Sequence, residues 1–456
     1  MSSNQSDNDE THRGWTYESL SAARQTLISP AVKLSYKKPL WIVRGERQFL
    51  YDHNGVEYLD AYNNVCHLGH CHPAVVQAVS KQMAILNTNT RYLHTAIVEY
   101  ASRITATCPP ELSVCIFVNS GSEANELALR LAYAYTRQKD LIVLDSAYHG
   151  NTNAVVEMSP YKTDHPDGPR APSHVHKVVA PDDYRGLYRR DKYAPAELGP
   201  LYAKHVEETV RKIEHEGRKV AAFFCEGILG CAGQIVLPPG YLASCYKAVR
   251  QSGGVCVADE VQVGFGRAGT HMWVFQTQDV VPDIVTLGKP IGNGFPIGAV
   301  ITRPEIARAL GRLEYFNTFG GNPVACKAGL AVLDAIAAEG FMENARVVGN
   351  HLLSSLRALA RKHPVIGDVR GMGLFLGVEL VLDRHTLEPA TALTSRVIDA
   401  IQQNDKILLG TDGPFNNVVK IKPPLCFTVA DADKVIAAFD SALKQETQNA
   451  TILAKL

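Results

Sequence analysis

The sequence of 456 residues lacks an excess of charge of either sign, because 46 Lys and Arg residues balance 46 Asp and Glu residues. Binding to nucleic acid or to an anionic membrane surface needs a basic excess, so neither partner is expected. No apolar run approaches the roughly 18 residues of a membrane span. The sequence therefore predicts a globular protein that binds no nucleic acid and enters no membrane.

A disulfide framework is missing as well. Ten cysteines extend from Cys66 to Cys426 without a repeated CxxC spacing, and such frameworks belong to short secreted chains. The polar, acidic residues 1–14 resemble neither a secretory signal nor an Arg-rich transit peptide. We therefore expect reduced thiols and a cytoplasmic location.

Short apolar runs alternate with amphipathic stretches in the middle of the chain. Apolar runs separated by helices indicate a parallel sheet covered on both faces, which is an α/β fold. The predicted strands are Val114–Val118, Leu141–Leu144, Val220–Cys225, Val255–Ala258, Ile284–Leu287 and Gly298–Ile301.

Three regions are predicted along the chain. Residues 61–330 form a large domain, and residues 331–456 form a smaller α+β domain. Residues 1–60 provide an N-terminal arm and small strands that belong to the smaller domain. Within this first region Asn54-Gly55 predicts a type I′ hairpin turn, because both residues tolerate positive φ.

Two residues with matching chemistry follow neighbouring predicted strands. Asp259 ends one buried run, and Lys289 follows the next run in a loop rich in Gly and Pro. Ligands of open α/β sheets bind at the carboxyl ends of strands. A lysine amine can condense with an aldehyde, and a carboxylate can keep a pyridine nitrogen protonated. Alone, each residue is usually a helix cap or a solvated charge; together they predict pyridoxal 5′-phosphate (PLP) as a Schiff base on Lys289.

Two further segments follow strands. Residues 119–125, NSGSEAN, open a helix, and a helix N-terminus suits a phosphate, although an ordinary cap has the same pattern. Residues 145–150, DSAYHG, place an aromatic ring where it could stack on a planar cofactor or simply pack.

From about residue 38 to 440 the chain resembles the class III aminotransferases of the fold-type I PLP enzymes. The matching segments are GHCHP (69–73), NSGSEAN (119–125), YHG (148–150), ADEVQVGFGR (258–267), TLGKPIGNG (286–294), NTFGGNP (317–323) and RGMGL (370–374). The resemblance implies a large domain with a mostly parallel seven-stranded sheet flanked by helices, and PLP as the cofactor.

The resemblance also implies roles for single residues. Lys289 matches the Schiff-base lysine and proton shuttle, and Asp259 matches the partner of the pyridinium nitrogen. Thr318 matches a threonine that reaches the phosphate from the neighbouring subunit, which implies a homodimer, or a dimer of dimers, with shared active sites. The other implied cofactor contacts are Gln262 near the phenolic oxygen, Gly121 and Ser122 in the phosphate cup, and Tyr148 on the ring.

The arginines that many family members use for substrate carboxylates are missing. Asn151 stands after the aromatic-His-Gly turn, and Lys420 stands before the Pro-Pro-Leu element. Cys231 occupies the place of a glutamate that, in some members, pairs with the second arginine and swings aside between half-reactions. Because the rigid fork of Arg grips carboxylates, these replacements remove the means of binding an α-carboxylate.

Lysines suit a phosphate dianion better than a carboxylate. Residues 62–73 and 86–94 also resemble one branch of the family, the phospho-lyases acting on ethanolamine phosphate and phosphohydroxylysine. This resemblance implies elimination of phosphate from a phosphorylated amine, foremost ethanolamine phosphate, to give acetaldehyde, ammonia and phosphate. The candidate substrate contacts are Lys420, Lys422, Arg91 and Asn64.

Two other functions stay open at this point, an ω-aminotransferase that uses an oxo-acid acceptor and a PLP-binding protein without catalysis. A metal site in residues 66–72 is not expected, because the five Cys and His residues there lack the spacing of a structural zinc site. We expect His149 to support the site, Arg267 to be an ion-pair partner in the scaffold, and Arg370 to be structural.

Overall fold

The computed structural model describes residues 14–311 and 314–453. The acidic residues that precede this range, on which the predicted location depends, lie outside it. No helix in the described ranges is both long and apolar enough to cross a membrane.

The strands are β1 Ile42–Glu46, β2 Phe49–Asp52, β3 Glu57–Asp60, β4 Val114–Val118, β5 Asp140–Leu144, β6 Val175–Val178, β7 Val220–Glu226, β8 Ile228–Leu229, β9 Ile235–Val236, β10 Val255–Asp259, β11 Ile284–Leu287, β12 Gly298–Thr302, β13 Ile366–Met372, β14 Phe375–Asp383, β15 Glu388–Pro389, β16 Ile407–Leu408, β17 Gly410–Asp412 and β18 Val418–Ile421.

The α-helices are α1 Tyr17–Leu27, α2 Pro73–Met83, α3 Thr95–Thr105, α4 Gly121–Thr136, α5 Asn153–Glu157, α6 Pro160–Thr163, α7 Pro195–His215, α8 Tyr241–Gln251, α9 Pro304–Leu310, α10 Pro323–Ala338, α11 Phe341–Lys362, α12 Thr391–Asp405 and α13 Val429–Leu453, with short 3₁₀ turns at Val274–Gln278 and Lys289–Gly292.

A seven-stranded sheet in the order β4-β12-β11-β10-β7-β5-β6 forms the centre of the chain. It is parallel except for β12, which runs antiparallel to both of its neighbours. The mostly parallel fold is therefore confirmed, and so are the six predicted strands. Two details were not predicted: the direction of β12, which an apolar run does not reveal, and β6, whose four residues include the polar His176 and Lys177.

The pairing of the central strands brings particular residues to one edge of the sheet. In register, Asp259 at the end of β10 lies opposite Glu226 on β7 and Thr286 on β11. Lys289 follows β11 by two residues, so it stands beside the same edge. The carboxyl ends of the strands thus collect the groups that the sequence associates with the cofactor.

Smaller sheets flank this centre. One has the order β1-β2-β3-β16, and another runs β13-β14-β18-β17. The first sheet joins strands from the two ends of the chain, while the division at residues 60 and 330 stays a prediction. On α11 the predicted apolar face, which consists of Leu352, Leu356 and Leu359, lies buried.

The predicted type I′ turn between β2 and β3 is wrong. Of its two central residues only Gly55 has a positive φ, at +79°. The carboxylate of Asp52 accepts hydrogen bonds from the backbone N–H groups of Asn54 and Val56, at 2.9 and 3.0 Å. A side-chain acceptor before the turn therefore stabilises a longer connection with one left-handed residue.

The prediction that Arg267 is an ion-pair partner is wrong, because this arginine forms no ion pair with a described residue. Its fully buried guanidinium donates to the carbonyl oxygens of Leu374 and Pro423, at 2.9 and 2.8 Å, and lies 3.1 Å from His67 Nδ1. Burial lowers the pKa of Arg267 to about 9. This side chain stabilises the scaffold by joining distant segments through their carbonyl groups.

We expect Arg267→Met to lower the free energy of unfolding by about 3 kcal/mol, because two buried carbonyl groups lose their donor. Thermal and urea unfolding measure the effect. Arg346→Ala, at an exposed arginine that pairs with Glu343 on one helix, is the control and should leave Tm unchanged. Equal stability of the Arg267 variant and the wild type would contradict this account.

Candidate active site

The Asp259 carboxylate is buried at the sheet edge, with an exposed fraction of 3%. Its Oδ2 lies 2.8 Å from His149 Nδ1 and accepts a 2.8 Å hydrogen bond from Asn125 Nδ2. Its Oδ1 accepts a 3.0 Å bond from the backbone N–H of Val261. Contacts from three separate segments fix the orientation of this carboxylate, and His149 lies behind it as a support.

Lys289 is half-buried and begins the 3₁₀ turn that follows β11. Its amine forms no hydrogen bond or ion pair with any residue in the described ranges. The preceding Gly288 allows a close approach, since a Cβ there would lie 3.0 Å from Gly121 Cα and 2.9 Å from Val261 Cγ1. Lys289, whose amine is unpaired, thus directly follows a glycine that lies against the start of α4.

The start of α4 is a helix N-terminus with a glycine that cannot be enlarged. Ser120 caps it by accepting a 3.1 Å hydrogen bond from the Glu123 N–H. A Cβ on Gly121 would lie 2.5 Å from Val261 Cγ1. Ser122 Oγ accepts a 3.0 Å bond from the Asn151 N–H, which ties the helix start to the turn after Tyr148. Such a terminus can bind a phosphate through its free N–H groups.

Tyr148 lies half-buried on the turn after β5, with its ring 5.9 Å from that of Tyr161 in an edge contact. Its backbone N–H donates to Glu226 Oε1 at 3.2 Å, and the Gly230 N–H donates to Oε2 at 3.1 Å. Burial raises the pKa of Glu226 to about 7. The sequence analysis missed Glu226, although its place at a strand end next to Asp259 was a usable signal.

Gln262 connects the cofactor side of the site with two of the substrate candidates. Lys422 Nζ donates to Gln262 Oε1 at 3.1 Å, and Asn64 Nδ2 donates to the same oxygen at 3.4 Å. Lys422 and Asn64 are both buried, with exposed fractions of 8% and 4%. The structure therefore brings together Asn64, Gln262 and Lys422, although the first and the last of these are 358 positions apart in the sequence.

Lys420 has a different environment from Lys422. Its ammonium forms a 2.9 Å ion pair with Asp412 Oδ1, and the ring of Tyr62 lies 5.0 Å away. A cavity of about 620 Å³ is lined by Tyr62, Thr411 and Lys420, among other residues, and provides room beside this group. Asp412 and Tyr62 had not been assigned to the site; Tyr62 opens the segment 62–73 that resembles the phospho-lyases, whereas no sequence motif marks Asp412.

Two candidates do not join the others within one chain. Arg91 is exposed, lies 3.8 Å from Glu314 and stacks on the ring of Phe316 at 4.2 Å. Thr318 is exposed in the segment after residue 314. The neighbouring Asn317 accepts a 2.9 Å bond from Asn119, so this segment borders the start of α4 without placing Thr318 in it.

The described residues fit PLP. An aldehyde requires a free amine, which Lys289 provides, and a pyridinium nitrogen requires a buried carboxylate, which Asp259 provides. The start of α4 offers N–H groups behind a glycine that tolerates no side chain. This is the site of a PLP enzyme with fold type I.

The chain belongs to the class III aminotransferases, since the family model for aminotransferase class III matches residues 32–443. Its cofactor is pyridoxal phosphate, in agreement with a structural relative, a Pseudomonas amine transaminase solved in its PLP-bound form, which is 28% identical with a TM-score of 0.84. That relative is matched over 91% of this chain and 98% of its own.

Relatives of this chain carry names from two activities. It is 48% identical to an alanine–glyoxylate aminotransferase 2-like protein of Drosophila melanogaster, over 92% of this chain and 86% of that protein. It is 43% identical to ethanolamine-phosphate phospho-lyase homolog 1 of Caenorhabditis elegans, over 93% of both. A phospholyase from Arthrobacter, solved in complex with phosphoethanolamine, superimposes with a TM-score of 0.88 at 38% identity, over 93% of this chain and 99% of that one.

Proposed function

We propose that this enzyme is a PLP-dependent lyase that eliminates phosphate from a phosphorylated amine, with ethanolamine phosphate as its substrate. The observation that carries the proposal is the charge balance beside Gln262. Lys420 and Lys422 share one carboxylate, that of Asp412, which pairs with Lys420. A buried ammonium without a counter-ion is costly, so the region around these two lysines is complementary to a dianion such as a phosphate monoester.

The same region is poorly suited to the α-carboxylate of an amino acid. Asn151 and Lys420 stand where the family resemblance implies arginines, so no planar fork is available there. Burial raises the pKa of Cys231 to about 12, so this thiol is neutral and cannot pair with a cation as a glutamate would. The positive charge of the lysines is therefore left for the substrate.

The roles of the remaining residues follow from this proposal. When bound, PLP supplies an electron sink for the electron pair that is left when a C–H bond breaks. Lys289 removes that proton from the carbon that bears nitrogen, while Asp259 holds a proton at the ring nitrogen. Elimination then releases phosphate from the adjacent carbon, and the remaining fragment hydrolyses to acetaldehyde and ammonia. The proposed supporting contacts are Gln262, Tyr148, and Gly121 and Ser122 at the phosphate.

We also propose a homodimer, or a dimer of dimers, in which Thr318 and Arg91 reach the neighbouring active site. Both residues are exposed in the single chain, as are apolar side chains between residues 83 and 98. These apolar residues are Met83, Ile85, Leu86, Tyr92, Leu93 and Val98. Exposed apolar side chains concentrated in one segment are typical of an interface with another protein. Sedimentation equilibrium of the holoenzyme tests the assembly.

A cytoplasmic location is part of the proposal. All ten cysteines are free, as expected in a reducing compartment. Fractionation of cells that produce the tagged protein tests this location.

The direct test of function is to incubate the holoenzyme with ethanolamine phosphate in the absence of an oxo acid. We expect inorganic phosphate and acetaldehyde to appear in equal amounts. Elimination needs no amino acceptor, so adding pyruvate should not raise the rate. Failure to release phosphate, together with amino transfer from alanine, would overturn the proposal.

An ω-aminotransferase is the second candidate, favoured by the name of the Drosophila relative. It differs from the lyase in one measurable way, because turnover then requires an oxo-acid acceptor and releases no phosphate. A panel of amines assayed with and without pyruvate separates the two activities.

Lys420→Ala should raise KM for ethanolamine phosphate about 10- to 100-fold, as expected for loss of a charge-assisted contact with phosphate. Initial rates of phosphate release measure it. Lys434→Ala, at an exposed lysine that lies 3.7 Å from Asp431, is the matched control and should leave KM within about twofold. An unchanged KM in the Lys420 variant would remove this residue from the substrate site.

A further inference from the structure

Lys422 is a buried cation that lacks a counter-ion. Its ammonium makes a single hydrogen bond, to Gln262 Oε1 at 3.1 Å, and no carboxylate among the described residues forms an ion pair with it. The rings of Tyr62 and Phe375 lie 5.7 and 6.0 Å away. An ammonium has three donors, so this group can still donate to a ligand.

The charges around Lys422 are mostly of its own sign. Lys420 on β18, two residues before Lys422, and Lys289 on the loop after β11 both lower its pKa, while Asp412 on β17 and the Cys231 thiol raise it. Burial has the largest effect, and the pKa of Lys422 is lowered to about 7. Lys422 can therefore exchange a proton near neutral pH.

Lys420 differs from Lys422 in this respect. The ion pair with Asp412, at 2.9 Å, holds the proton on Lys420 and raises its pKa above the ordinary value of a lysine. The two lysines thus offer a phosphate leaving group different properties. Lys420 is a permanent positive charge, and Lys422 is an acid that can give up its proton.

A phosphate ester needs such an acid when it leaves. At neutral pH a phosphate monoester is mostly a dianion, since its second pKa is about 6. If the C–O bond of the dianion breaks without proton transfer, the product is the strongly basic phosphate trianion. Delivery of a proton to the departing oxygen avoids that product.

We propose that Lys422 is the general acid that protonates the departing phosphate, an inference that rests on the proposed lyase function. The proton passes from Lys422 Nζ to the oxygen of the breaking C–O bond, whose electron pair stays with that oxygen. The electrons left on the neighbouring carbon after Lys289 takes its proton form the C=C bond. Hydrogen phosphate dianion departs, and Lys422 regains a proton from solvent.

Proton uptake on binding of inorganic phosphate provides a test that does not depend on turnover. The holoenzyme is titrated calorimetrically in two buffers of different ionisation enthalpy, about one pH unit above the pKa of Lys422. Most Lys422 side chains are neutral there, and an arriving dianion favours their protonation. We expect the wild type to take up close to one proton, Lys422→Arg to take up none, and Lys434→Arg, at an exposed lysine, to behave as the wild type.

The choice of leaving group provides the kinetic test. Sulfate is a weak base and leaves without protonation, so ethanolamine O-sulfate does not need the acid. We expect Lys422→Arg, which keeps the charge, to lower kcat for ethanolamine phosphate at least about 100-fold and kcat for the sulfate ester less than about threefold. Lys422→Met, which removes the buried ammonium and keeps an unbranched apolar side chain, shows by its Tm whether substitution here affects folding.

The possible outcomes separate this inference from the proposed function. Equal losses for the two esters, or phosphate binding to the wild type without proton uptake, would overturn the acid role alone. If the wild type releases no phosphate from ethanolamine phosphate, the proposed function fails and the inference fails with it.

Discussion

Lys289→Ala is expected to abolish turnover, leaving less than about 0.1% of the wild-type rate, because both the proposed covalent attachment and the proposed proton transfer are lost. The variant should not show the visible absorbance of a Schiff base. After borohydride reduction the wild type should gain the mass of the reduced cofactor on the peptide that contains residue 289, and the variant should gain nothing there.

A suitable control for this experiment is Lys177→Ala. Lys177 lies on β6, the outermost strand of the same sheet, where it is paired with Asp164 at 2.7 Å and half-exposed. We expect this variant to keep both colour and activity. A Lys289 variant that still fixes the cofactor after reduction, on another lysine, would contradict the assignment.

Asp259→Asn is expected to lower kcat about 10³-fold while the cofactor stays bound. An amide of the same shape keeps the packing but carries no negative charge with which to hold a proton on the ring nitrogen. His149 and Asn125, which now lie 2.8 Å from Oδ2 of the carboxylate, would then face a neutral oxygen or an NH₂ group. Steady-state phosphate release and the visible spectrum measure the two effects separately.

The control for Asp259 is Asp145→Asn, which changes a half-exposed carboxylate directly after β5, two strands away from β10 in the same sheet. It should leave kcat within about twofold, because Asp145 lies 3.8 Å from the surface lysine Lys177 and touches no cofactor residue. A loss of less than about tenfold in the Asp259 variant would show that the ring nitrogen is held by another group.

Much of the central sheet could be predicted from the sequence because buried strands are continuous apolar runs. The six predicted runs are strands of the structure at nearly the same bounds. The direction of β12 and the presence of β6 could not be predicted in this way. An antiparallel strand buried on both faces has the same apolar pattern as a parallel one, and a short strand with polar residues has almost no pattern.

The candidate site likewise includes residues that could be predicted from the sequence and residues that could not. Asp259 and Lys289 could be proposed as site residues because Asp259 ends one recognisable apolar strand and Lys289 follows the next strand by two residues. Glu226 satisfied the same rule and was missed, while Asp412 was not predictable, because it acts through contact with Lys420, eight residues away on the next strand. The role of Arg267 as a donor to carbonyl groups was likewise invisible in its motif.

Local order along the chain was sufficient to identify the family and the cofactor and to propose Asp259 and Lys289 as the residues that hold it, because strand ends and their short loops are local features. Only the tertiary structure separated Lys420 from Lys422, which look alike in the sequence. One is paired with a carboxylate and the other is buried beside Gln262 without one. That difference arises from segments far apart in the chain, since burial and neighbouring charge determine whether an amine keeps its proton.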